Sequence, residues 1–123
     1  MLDTNLRDFF DKSNTTEYIR FARNYNSGNL KSDKLYDIAH ETIKQAEVGF
    51  KIKMFRTILK NYRKAAKLNH VLAQYEFGLF ILTTPITWHL FKKEAIKHLE
   101  KAALAGVEDA KIAIQNFKEI FLN

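Results

Sequence analysis

ILKNYRKAAKLNHVLAQYEFG, Ile58–Gly78, and AIKHLEKAALAGVEDAKIAIQ, Ala95–Gln115, align at an offset of 37 residues, and this pairing decides the fold. Ala65-Ala66 meets Ala102-Ala103, Asn69 meets Gly106, and Ala73 meets Ala110. Tyr62 meets Leu99, Lys64 meets Lys101, Tyr75 meets Ile112 and Phe77 meets Ile114. A period of this length is the mark of stacked helical hairpins. Paired alanines let two helices cross closely, Gly or Asn accepts a left-handed cap, and bulky residues fill the space between units.

Working outward, the whole chain reads as helical. Leu6, Phe9 and Phe10 suggest a short first helix. Asn14 or Thr15 is a candidate cap for a second helix carrying Tyr18, Ile19, Phe21, Ala22 and Tyr25, which stops at Asn26-Ser27-Gly28-Asn29. Ser32 or Asp33 is the expected cap of a third, with Leu35, Ile38, Ala39, Ile43 and Ala46 on its apolar side and Gly49 ending or kinking it. A basic helix follows to about Asn69, and a fifth covers 70–82. Thr84-Pro85 breaks the pattern, 92–105 forms another amphipathic helix closed by Gly106, and 108–121 forms the last. The expected fold class is all-α, with stacked antiparallel helical hairpins and six to seven helices. One domain, 1–123, is expected, with 1–49 as N-terminal helices and 50–123 as two units.

At these residues the chain resembles the Sel-one-like repeats, a branch of the tetratricopeptide superfamily. The pattern is carried by Ala95, Leu99, Ala102-Ala103, Gly106 and Ala110 in the second unit, and by Tyr62, Ala65-Ala66, Ala73, Tyr75 and Gly78 in the first. The resemblance implies an α–α solenoid that mediates protein–protein interaction. Asn69 stands where that family has Gly, Ile58 replaces the leading Ala, and Thr83–Phe91 is longer and more apolar than the usual linker. Ala39 to Ala46 repeats the step from Ala95 to Ala102, so the N-terminal half is either a divergent cap with a trace of a third unit or part of a bundle without repeats.

Composition excludes much chemistry. The 123 residues are 46% hydrophobic and contain no cysteine, one proline and four glycines. Thiolate metal sites, disulfides and cysteine nucleophiles are therefore absent, and phosphate-cradling glycine loops have no material. His40-Glu41 begins like a zinc-protease motif, but Lys44 occupies the second ligand position, so these residues are expected on a solvated helix face. His70, His89 and His98 form no i, i+4 pair, and His98 is expected to cap a helical face. No catalytic, cofactor-binding or metal-ligating residue is assigned, and a non-enzyme is expected. The N-terminal stretch is too charged for a signal peptide. The longest charge-free run, Phe77–Phe91, has fifteen residues and includes Pro85, too short to span a bilayer; a cytoplasmic protein without a membrane role is the expectation.

Charge is segregated. The net charge is +6. Residues 1–47 carry −1 and 76–123 carry 0, while 48–75 hold seven Lys or Arg and no acid, giving +7. Within that segment Phe55, Ile58, Leu59, Tyr62 and Ala66 form an apolar stripe. Lys53, Arg56, Lys60, Arg63, Lys64 and Lys67 fall largely on the opposite face, without the acids at i+4 that would relieve their repulsion. These six are the candidate partner-binding residues. Trp88 is a seventh: either the loop from Ile86 to Phe91 tucks into the core, or an exposed Trp88 anchors a partner. The partner these features call for is a protein with an acidic patch. One specific version is a toxin whose active site this chain covers, as immunity proteins do. The alternative is nucleic acid, RNA above all, held through phosphates.

Overall fold

The computed structural model describes residues 6–122, with side chains for 6–119. Among them the regular structure is entirely helical: α1 Leu6–Ser13, α2 Thr16–Arg23, α3 Leu30–Val48, α4 Ile52–Lys67, α5 Val71–Leu82, α6 Trp88–Leu104 and α7 Glu108–Leu122. A 3-10 turn, Pro85–Thr87, leads into α6.

Local chemistry sets the helix starts. Thr15 caps α2 by accepting the Tyr18 amide, at 3.2 Å. The α3 cap is Asn29, which accepts the Ser32 amide at 3.1 Å, and not Ser32 or Asp33 as the sequence suggests. The preceding Gly28 takes a left-handed φ of 70° and aims the chain so that Asn29 reaches the cap position one turn early. Asp33 is used differently: its carboxylate accepts the Ser27 hydroxyl and faces the His70 ring. The expected loop before α6 is also shorter than read from sequence. Pro85 starts the 3-10 turn, and α6 takes in Trp88–Phe91 as its first residues.

The two aligned stretches fold into the same local structure. Helix α4 ends at Lys67 and α6 at Leu104; α5 begins at Val71 and α7 at Glu108, each pair separated by 37. Both turns close with the same bonds. The amides of Asn69 and His70 donate to the carbonyls of Ala66 and Ala65, and the amides of Gly106 and Val107 to those of Ala103 and Ala102. This is the Schellman arrangement, which needs a left-handed residue just past the helix. Gly106 supplies it at φ 112° and Asn69 at φ 67°. Asn is among the few side chains that accept this conformation, so it serves in the glycine position.

Helix α5 is the centre. All its residues from Leu72 to Leu82 are buried, and it packs against α4, α6, α1 and α7. Helix α3 lies mainly on α4, and α2 touches α7. Small residues permit the close crossings: Ala65, Ala66, Ala73, Ala95, Ala102 and Ala110 are fully buried. The closest approach is at Gly78, where a Cβ would stand 2.3 Å from Leu99 Cγ. Gly78→Ala should therefore lower stability by about 1–3 kcal/mol, despite the better helix propensity of alanine. Urea denaturation checks it, and with Leu99→Ala the pair should cost less than the two single changes added, because both act at one contact.

Candidate functional site

Two arrangements bring together side chains with chemistry to offer. The first is the cationic face of α4. Arg56, Lys60, Arg63, Lys64 and Lys67 recur at i, i+4, i+7, i+8 and i+11, and with Leu59 they line one shallow groove of about 320 Å³. Arg56, Lys60, Lys64 and Lys67 are exposed, while Leu59 is half-buried. Lys53 is exposed on the same helix but outside the groove. No acid from α1, α2 or α3 pairs with these residues among the described side chains.

Arg63 differs from the other five. Its Nε and Nη2 donate to the two carboxylate oxygens of Glu94 at 2.7 and 2.8 Å, and its guanidinium lies 4.9 Å from the centre of the Phe91 ring. This fork-to-fork pair clamps α4 to the start of α6 and holds Glu94 below the usual carboxylate range. Arg63 is thus committed within the fold. Trp88 follows the first of the two alternatives drawn from sequence. It is half-buried against the core, and its indole N–H donates to the Ile81 carbonyl at 3.0 Å. The exposed aliphatics of this segment are Ile86 and Leu90 instead.

The second arrangement was not read from the sequence. Glu76 sits in the middle of α5 and is 1% exposed. Its Oε2 accepts the hydroxyls of Tyr18 and Tyr36, both at 2.6 Å. Its Oε1 accepts the hydroxyl of Tyr62 at 2.7 Å and Nδ1–H of His40 at 3.0 Å. One carboxylate therefore ties α2, α3 and α4 to α5. Burial pushes its pKa up, but hydrogen bonds from His40, Tyr18 and Tyr36, with the imidazolium charge, outweigh burial and hold it below the ordinary value. His40 moves the other way: the Glu76 bond raises it against the pull of burial. Burial, foremost, and the adjacent carboxylate push Tyr18, Tyr36 and Tyr62 upward, so all three remain neutral donors.

His40 is thus half-buried and turned inward, which corrects its assignment to a solvated face; the solvated pair is Glu41 with Lys44, 3.6 Å apart. Since the one proton of Tyr36 goes to Glu76, His40 Nδ1 faces acceptors only and carries a proton in either charge state. Its titration removes the proton from Nε2. The charge is lost and the hydrogen bond stays. With four donors on two oxygens, Glu76 has no lone pair to offer a substrate, and its role is to bind helices together. The signal in the sequence was a single acid, Glu76, within an otherwise uncharged α5, in a chain with five tyrosines.

His70 and His98 are also internal. His70 Nδ1 accepts the Ala73 amide at 3.2 Å, which leaves Nε2–H to donate to Asp33 at 3.2 Å. Its ring stacks on Tyr36 at 4.6 Å, and burial lowers its pKa. His98 does not cap an exposed face. It is 4% exposed, edge-on to Phe77, and burial pulls it down to about 4. No group of three or more potential metal ligands occurs among the described residues. Protein-family models, curated proteins and solved structures provide no match to the chain.

Two outcomes are expected from the Glu76 cluster. Glu76→Gln places an amide donor against hydroxyl donors and should cost about 2–4 kcal/mol by urea denaturation. The His40 contribution depends on pH. Because His40 is raised in the fold, its stabilisation is full below 6.5 and is lost as pH rises through the folded value. Because Glu76 is depressed, its share is full above 4.5 and lost as pH falls through its folded value. The stability difference between the native chain and His40→Asn should be largest near pH 5–6 and shrink toward pH 8; a difference flat with pH would exclude an imidazolium at this position. Taking the difference cancels the opposite acid sensitivity of His70 and His98.

Proposed function

We propose that this chain is a non-catalytic protein-binding module, an adaptor or inhibitor, whose docking face is the cationic side of α4. The observation that carries the reading is the convergence of four exposed cations, Arg56, Lys60, Lys64 and Lys67, on one groove beside the internally paired Arg63. A stripe of like charge costs the helix repulsion, and among the described residues the acid paired with it is Glu94, which engages Arg63 and leaves Arg56, Lys60 and Lys64 unpaired with acids of α1, α2 or α3. An acidic partner surface would relieve that repulsion, accelerate encounter and fix orientation. The matched turns at Asn69 and Gly106 support the resemblance to Sel-one-like repeats, and through it a role in protein–protein contact.

Apolar surface favours a protein over a phosphate backbone as occupant. Leu59 contributes to the groove, and Ile52, 73% exposed, lies on the same stripe as Arg56 and Lys60. A duplex backbone has no complement for exposed aliphatic groups, whereas protein interfaces combine an apolar centre with a charged rim. The inhibitor version of the reading is an immunity-type protein that covers an acidic region around a toxin's active site.

Charge reversal at Lys53, Arg56, Lys60 and Lys64 to Glu leaves Arg63–Glu94 and the core in place. The quadruple variant should keep its helical circular dichroism and lose a salt-sensitive protein partner in affinity co-purification followed by mass spectrometry. An unchanged partner set defeats the reading. Retention of mixed RNA at moderate salt by the native chain, abolished in the variant, transfers the face to nucleic acid.

A further inference from the structure

The cationic positions of α4 have equivalents on α6. At the offset of 37 that relates the two hairpins, Arg56, Lys60 and Lys64 correspond to Lys93, Lys97 and Lys101. All six are exposed. Along each helix they are four residues apart, so successive charges rise by about 6 Å. The two helices are fixed to each other at this face by the Arg63–Glu94 pair. Of the two acids on α6, Glu94 is taken up by Arg63, leaving Glu100 as the one exposed acid of that helix. Exposed aliphatics flank the rows: Ile52 at 73%, Leu90 at 79% and Leu104 at 90%.

We infer that the docking face extends across both hairpins as two cationic rows, and that its occupant is an acidic amphipathic helix. The inference rests on the reading of α4 as a docking face and adds α6 and the partner's chemistry to it. A helix bearing Glu or Asp at i, i+4 and i+8 repeats its charges at the same rise of about 6 Å, so its carboxylates stay in register with one row over several turns. Its apolar side supplies what Ile52, Leu90 and Leu104 would otherwise leave in water. An extended acidic segment advances about 3.3 Å per residue and turns successive side chains to opposite sides, which gives a poorer match to rows on a 6 Å rise.

The test uses a fluorescein-labelled peptide of about 18 residues, long enough to populate a helix, with Glu in an i, i+4 row and Leu on the adjoining face. A second peptide has the same composition with Glu scattered around the helix. Fluorescence anisotropy is read for the full chain, for Arg56→Glu/Lys60→Glu and for Lys97→Glu/Lys101→Glu. The patterned peptide should bind more tightly than the scattered one, and each double reversal should weaken it about tenfold. If only the α4 reversal weakens binding, or the two peptides bind equally, the two-row helix site is overturned while the α4 docking face stands. If the peptides do not bind, or neither reversal matters, both readings fall. If mixed-sequence RNA displaces the patterned peptide and loses affinity on both reversals, the face belongs to nucleic acid and both are again overturned.

Discussion

The structure depends on one buried charge. Glu76 lies in the enclosed central helix α5, and its two oxygens accept from Tyr18, Tyr36, His40 and Tyr62. A carboxylate removed from water is costly unless its lone pairs are filled and an opposite charge is near. Here both conditions are met, and by residues from three other helices. The consequence is specificity of arrangement. The observed placement of α2, α3 and α4 about α5 brings three hydroxyls and an imidazole onto the same two oxygens, and a shift of any one of these helices would withdraw its donor. The short α2 gains most, since it has eight residues, would be marginal alone, and reaches Glu76 through Tyr18.

Around that hub the packing is governed by small residues and by the two turns. Gly78 lets α6 approach α5 until Leu99 occupies the space where a side chain would begin. The alanines of α4 and α6 do the same on neighbouring faces. The Asn69 and Gly106 turns then reverse the chain with identical hydrogen bonding, so that α5 follows α4 as α7 follows α6. The correspondence is not complete. Tyr75 is buried at the centre, whereas its counterpart Ile112 is 64% exposed, because α7 has a neighbour on one side where α5 is enclosed.

How much of the candidate site was legible follows from the range of the interactions. The cationic row on α4 could be read from sequence because it depends on spacing within one helix and on the absence of acids in 48–75. The fate of Arg63 could not, since its partner Glu94 lies 31 residues away on another helix. Trp88 was open for the same reason: whether its ring is covered depends on where α5 ends in space, and the Ile81 carbonyl that receives its N–H lies in the last turn of that helix, where it also accepts the Thr84 amide. His40 was misread because helical position alone says which residues share a side, not what stands opposite. The Glu76 partners are separated from it by 14 to 58 residues.

The amino-acid sequence by itself determined the helical class, the 37-residue correspondence of the two hairpins, the turn residues Asn69 and Gly106, and the charge pattern of α4. These are matters of backbone preference and periodicity, which act over a few residues. The tertiary structure alone decided that α5 is enclosed, that α1 packs on it while α3 lies on α4 and α2 on α7, and that four polar side chains meet on Glu76. It also decided which cation is spent on an internal pair, Arg63 with Glu94, and so ties α4 to the start of α6. Such outcomes come from desolvation and close packing, whose energies depend on which groups are brought together from distant parts of the chain.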